Sequence, residues 1–249
     1  NKVDTADVTT NMLQWATGKT DCDIAIGGSR EDAVAYVVNN YIIPFEDDFF
    51  SGEGFTKDDY YESFLELGNI EGTQYMIPIC GEVDGISVNK QIFAKAGLLD
   101  GDGNIIPAKT WDELSEYAKK TTIIENGSVV QTGLSIDFGT NNGFQSYLAS
   151  IQGLKGTLFG DDGTTIDFVS DDAAYLLNTW KKLIGNKYTP TDTFSDNDAG
   201  RTNFKAGKVA MLIAPASRWI ECQQNLGKEN VGLMPIPGTD EKGSLAFIQ

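Results

Sequence analysis

The chain contains no histidine. That absence removes Ser-His-Asp and Cys-His nucleophilic machinery, and the commonest protein metal ligand, at one stroke. Any catalytic reading must rest on carboxylates, lysine or tyrosine. Cysteine is scarce: Cys22, Cys80 and Cys222 are too few and too scattered for a disulfide framework, and no Cys-x-x-Cys pair marks a zinc site. They read as free, packed thiols. Positive charge is also short. With 19 Lys and Arg against 36 Asp and Glu, the formal net charge is −17. Such a surface repels phosphate backbones and anionic headgroups, which argues against nucleic-acid and membrane-surface partners. No apolar run approaches the roughly 18 residues of a membrane helix. Residues 1–10 lack the basic start and apolar core of a secretory signal.

What is present is enough for a sizeable core: 249 residues, 41% of them hydrophobic, fit one large domain or two small ones. Residues 7–17 carry Val8, Met12, Trp15 and Ala16 at helical spacing and stop at Gly18. A strand at residues 23–26 runs into Gly27 and Gly28. Ser29 with Asp32 then forms a capping box for a helix with Ala33, Val34, Val37, Val38 and Tyr41 as its stripe. Strand-loop-helix units favour a parallel sheet with ligands at the strand's carboxyl end. Residues 27–30 are thus a first candidate ligand loop, although no Lys-Ser/Thr or GxGxxG pattern makes it a phosphate loop. A helix over 58–67, capped by Thr56 and stopped by Gly68, comes after the acidic run Glu46, Asp47 and Asp48.

Residues 75–97 organise the rest. Two short apolar strands are broken by a polar kink at residues 80–85, and an amphipathic helix then ends at Gly97. Asp100-Gly-Asp-Gly-Asn104 is a turn; Ile105 and Trp111 stand where a calcium loop needs Gly and Glu. Thr110 with Glu113 caps a helix over 111–120. Further along, the pattern predicts a strand at 129–137, a polar loop at 139–143, a short helix at 144–151, and a hairpin about Gly160-Asp-Asp-Gly163. Ser170 caps the clearest helix, with Trp180 on its core face. A helix at 196–206, a strand at 209–213, a helix at 217–226 and a strand at 231–236 broken by Pro235 and Pro237 complete the chain.

Ile77, Pro78, Glu82, Asn89 and Lys90 fill the pattern I/Y-P-x-x-x-E-x-x-x-x-x-x-N-K. Ala96-Gly97-Leu98 and Thr110-Trp-Asp-Glu-Leu114 come next, then Phe204-Lys-Ala-Gly-Lys-Val-Ala-Met211, Trp219 and Val231-Gly-Leu-Met-Pro-Ile-Pro-Gly238. In order and spacing these blocks resemble the extracellular solute-binding proteins of ABC importers, in the sugar-binding group that includes maltose-binding protein. The resemblance implies an α/β, two-lobed periplasmic-binding-protein-like (class II) fold with a hinge between lobes. The first lobe would comprise 1–83 and 234–249, and the second 84–233. It also implies further family chain on both sides, so that the first lobe's sheet is incomplete here.

The same resemblance implies a binding protein rather than an enzyme, with no catalytic residue, metal or cofactor. A carbohydrate would bind between the lobes by hinge closure, with a membrane permease as partner and a monomeric state. The location would be the outer membrane face, lipid-anchored, or the periplasm. Ser29 and Arg30 would reach in from the first lobe, Glu82 and Asp84 lie at the floor, and Asn142, Phe144, Arg218 and Trp219 reach in from the second. Carboxylates and guanidinium groups suit vicinal hydroxyls, and aromatic faces suit the C–H side of a pyranose. Plainer readings stay open: Asp84 as a solvated turn residue, Phe144 and Trp219 as packing. So do a glycoside hydrolase using Glu82 and a second carboxylate, and a non-sugar ligand on the same scaffold.

Overall fold

The computed structural model describes residues 23–26, 30–52, 56–79, 81, 83–154 and 170–238, with residues 14, 17, 18, 159, 160 and 165. The chain divides into two compact units, Asn1–Gly81 and Glu82–Ile248. The expected return of 234–249 to the first lobe falls largely on residues outside the described ones, as does most of the hairpin expected over 155–168.

In the first unit, α1 (Arg30–Val38) buries Ala33 and Tyr36 but leaves Val34 and Val38 exposed. Its stripe is narrower than predicted, because at 3.6 residues per turn positions 34 and 38 stand one residue round from 33 and 37. The strand expected at residues 23–26 is not formed. Those residues are irregular, and Ile24 and Ile26 are 79% and 76% exposed. A strand needs a neighbour to take up its N–H and C=O groups. Among the described residues of this unit the paired strands are β1 (Asn69–Ile70) and β2 (Thr73–Gln74), which pair with each other. The helix expected over 58–67 is interrupted. A 3₁₀ turn at Lys57–Asp59 carries the Thr56 capping box, and α2 (Glu62–Leu65) runs into a second 3₁₀ turn, Glu66–Gly68. The break is at Tyr60 and Tyr61, whose backbones are extended. The Tyr60 ring meets Phe50 edge-on at 6.3 Å.

The second unit is a mixed five-stranded sheet clad by helices. Its strands are β3 (Asp84–Asn89), β4 (Ile123–Glu125), β5 (Ser128–Ser135), β6 (Val209–Pro215) and β7 (Val231–Met234), in the order β4-β5-β6-β3-β7. Only β5 and β6 are parallel; the other pairings are antiparallel. All six residues of β3 are buried, as a central strand covered on both faces requires. The polar kink is accordingly shorter than predicted, since Asp84 and Gly85 already belong to β3.

Period-two alternation sorts β6 between two cores. Met211 and Ile213 join the larger cluster with Ile86, Val88, Leu134 and Ile136. Leu212 joins the smaller one with Phe204, Cys222 and Val231. The larger core is roofed by α3 (Lys90–Ala96), α4 (Trp111–Thr121), α5 (Thr140–Gly153) and α6 (Asp171–Gly185), which supply Phe93, Trp111, Ile151 and Leu176. Truncating the fully buried Trp111 to Ala would cost about 3–5 kcal/mol. The smaller core lies under α7 (Ala199–Lys205) and α8 (Ala216–Leu226).

Local chemistry accounts for most helix ends. Asn89 Oδ1 accepts from the Gln91 and Ile92 N–H groups at 3.1 and 3.2 Å. That cap is worth about 1 kcal/mol. Gly97 ends α3 at φ 68°, where a side chain would be strained. Thr110 Oγ1 accepts from Glu113 N–H, while the Glu113 carboxylate reaches back one residue further than a capping box requires, to Lys109 N–H at 2.7 Å. Ser170 caps α6, and Trp180 lies in the larger core. Residues 139–143, expected as loop, are instead the cap and first turn of a single helix, α5. Asn and Gly are poor helix formers, but packing of the rest of α5 against α6 and β6 carries the turn.

Candidate functional site

Strand register gathers one end of the second unit's sheet into a rim. Asp84, the first residue of β3, pairs with Pro215, the last of β6. Ser135, the last residue of β5, pairs with Leu212, three residues before Pro215, so the segment that follows β5 leaves the sheet at this same end. β7 runs to the same end, with Met234 opposite Ile86. The carboxyl ends of β5, β6 and β7 and the start of β3 therefore share one edge. Two helices begin there. α5 starts at Thr140, and α8 starts at Ala216, whose N–H donates to Val83 O at 2.9 Å. Strand carboxyl ends flanked by helix N-termini are where α/β sheets bind ligands, because unpaired N–H groups point outward there.

The predicted residues fall unequally on this rim. Asp84 is on it and is 4% exposed, a strand residue rather than a solvated turn. Asn142 lies in the first turn of α5. Phe144, half exposed, faces a cavity of about 470 Å³ between α5 and α6, shared with Phe138, Tyr147, Leu177, Trp180 and Lys181. Arg218 is in the first turn of α8, half exposed, with Nη1 3.6 Å from Glu221 Oε2. Trp219 is next to it but turns inward. Its ring packs on the smaller core and its indole N–H approaches Val231 O at 3.4 Å, at the opposite end of β7. Packing accounts for that position.

In the first unit, Arg30 Nη1 donates to the carbonyls of Glu66, Leu67 and Asn69 at 3.0, 2.8 and 2.8 Å. The guanidinium thus closes the carbonyl end of the α2 and 3₁₀ segment, which satisfies orphan acceptors. Ser29 and Glu82 lie outside the described residues.

Electrostatics concentrate one turn further along α8. Glu221 accepts from Lys205 Nζ at 2.6 Å and from Arg201 Nη1 at 3.2 Å, with Arg218 nearby. The Lys205 hydrogen bond, helped by the Arg201 and Arg218 charges and opposed by partial burial, holds the Glu221 carboxyl below its ordinary value. Burial pushes the neighbouring Cys222 thiol up to about 11. Among the described residues no group of three carboxylates or thiols is placed to hold a metal ion.

Sequence reasoning missed Phe194. It ends a 3₁₀ turn, Asp192–Phe194, and its ring stacks on Phe138 at 4.6 Å with 14° between planes. Thr193 Oγ1 donates to Ile136 O at 2.9 Å and ties the turn to the rim. The one local signal was an aromatic residue standing alone in a polar stretch.

The profile of the bacterial extracellular solute-binding protein family matches residues 1–247. The chain belongs to that family. The solute-binding protein is 25% identical over 236 residues to a Brucella abortus protein named as a binding protein, covering 90% of this chain and 52% of that one. It therefore spans about half the length of the curated relatives it matches. Among solved structures it is similar to a solute-binding protein of Thermotoga lettingae bound with α-D-tagatose, at TM-score 0.77 and 19% identity, covering 96% of this chain and 60% of that one. It is also similar to the GacH receptor of Streptomyces glaucescens, solved unliganded and with acarbose, at TM-score 0.74 and 19% identity, covering 97% and 59%. The fold is the α/β fold of these two proteins.

Proposed function

We propose that this solute-binding protein captures a carbohydrate at the rim of the second unit and presents it to the permease of an ABC importer. It would do so outside the cell membrane, lipid-anchored or in the periplasm, as a monomer. The observation that carries this reading is the convergence at one sheet edge of a buried carboxylate, Asp84, two helix N-termini and the Arg218 guanidinium. A carboxylate and N–H donors suit the alternating donor and acceptor character of sugar hydroxyls. Several proteins of similar fold were solved with sugars, among them maltotriose and mannobiose. Glu82 completes the proposed set on the strength of the sequence motif, Ser29 through its place in sequence just before α1, and Asn142 through its place in the first turn of α5. Arg30 and Trp219 are assigned structural roles.

Hinge closure is part of the proposal. β3 begins two residues after the change of unit, and β7 is its direct neighbour. A backbone segment that joins two compact units is where a hinge bends. Binding without turnover is proposed, since recognition needs only the groups named. The test is a thermal-shift screen of mono- and oligosaccharides, paired with a reducing-end assay. A sugar at 100 times its dissociation constant should add about 2.7 kcal/mol of stability. Stabilisation with no product supports transport, product formation would favour the hydrolase, and no stabilisation by any sugar would refute both.

A further inference from the structure

We infer that Asn126, at the tip of the β4–β5 hairpin, is a site of spontaneous backbone modification, converting to aspartate and isoaspartate with water as the only other reactant. The chain holds two Asn-Gly pairs, Asn126-Gly127 and Asn142-Gly143. Such a pair is open to this chemistry because glycine has no side chain to shield the approach of its amide nitrogen. The Gly127 nitrogen, having given its proton to hydroxide, attacks the Asn126 side-chain carbonyl carbon. A C–N bond forms and closes a cyclic imide, the bond to the side-chain nitrogen breaks, and ammonia leaves with a proton from water. Water then opens the imide at either carbonyl, which yields aspartate or isoaspartate.

The two pairs sit in opposite surroundings. Asn126 and Gly127 are exposed and form the two-residue connection between Glu125 and Ser128, which pair with each other. Their φ values of 51° and 81° are those of a primed turn, which Asn-Gly favours. A Cβ added at Gly127 would meet nothing within 4 Å, and among the described residues the Gly127 N–H donates to no acceptor. The nitrogen must swing out of its left-handed turn to reach the side chain, and little resists that motion. β4 is an edge strand of three exposed residues, with a register shift between Ile123 and Ile124. Such a tip opens at small cost in free energy. Asn142 and Gly143 lie instead in the first turn of α5. A Cβ on Gly143 would stand 2.9 Å from Phe138 O and 3.1 Å from Asp137 O, so that backbone is wedged against the segment before the helix. The fold thus shields the Asn-Gly pair beside the rim and leaves open the one at the hairpin tip. Isoaspartate carries the main chain through the former side chain and so lengthens a connection whose length sets the strand register. The Glu125–Ser128 pairing is lost, β4 is released from the sheet edge, and a new carboxylate adds to the net charge of −17.

The experiment incubates the protein at pH 8.5 and 37 °C, native and in urea, and follows both pairs by peptide mapping that separates aspartate from isoaspartate. Native Asn126 is expected to convert, and native folding is expected to slow Asn142, relative to its rate in urea, at least about tenfold more than it slows Asn126. Modified molecules should show faster amide hydrogen exchange at residues 123–125. Asn126→Gly keeps a residue that accepts positive φ, and should abolish conversion at the tip with unchanged thermal melting. No conversion of Asn126 in the native protein, conversion of native Asn142 as fast as Asn126, or unaltered exchange at residues 123–125 after conversion would overturn the inference.

Discussion

Asp84 sits where a carboxylate is expensive, 4% exposed at the head of a central strand. Burial at that price of solvation needs compensating hydrogen bonds, and the proposed ligand hydroxyls would add to them. Asp84→Asn keeps the shape and removes the charge. A hydrogen bond to a charged group contributes about 1.5–3 kcal/mol, so calorimetry should show sugar affinity falling at least tenfold; unchanged affinity would remove Asp84 from the site. Cys222 tests a different residue-level statement. Fully buried and with its thiol pushed up to about 11, it should stay protonated and resist iodoacetamide at pH 8 in the native protein, then react on unfolding. Peptide mapping of native-state label at Cys222 would contradict that burial.

At the scale of elements, α7 and α8 are joined by the Glu221 cluster. A carboxyl held below its ordinary value of 4.5 contributes stability that is complete above that pH and is lost as pH falls through the folded value. Glu221→Gln should therefore lower stability near neutrality, where the contribution is complete, and flatten the acid limb, so that the variant and wild-type curves converge as pH falls below the folded value. Urea midpoints from pH 3 to 7 check this; parallel curves for variant and wild type would show that the cluster does not act through Glu221. Elements were legible where the signal was local. Ser170 and Thr110 name their own helices, and Gly97 its own stop. The break at Tyr60 and Tyr61 was not legible, since it reflects aromatic packing against Phe50. Nor was the absence of a strand at 23–26, because alternating apolar residues cannot show whether a neighbour exists. Trp219 read as a stacking residue because its tether, Val231, lies twelve positions away.

For the whole molecule, the second unit's order β4-β5-β6-β3-β7 does what no local pattern states: it brings residues 84, 138, 142 and 215–218 to one edge. The motif spacing made the family legible, because such blocks are held by turns and caps that recur in order. Phe194 stayed hidden, because only parallel pairing of β5 with β6 places its turn beside the rim. The rim is the central claim. It is tested most directly by assigning backbone amide signals and adding the best sugar of the thermal-shift screen. The largest chemical-shift changes are predicted at Asp84, residues 139–143 and residues 216–218. Changes confined elsewhere, such as the cavity between α5 and α6 at Leu177 and Ile184, would contradict it.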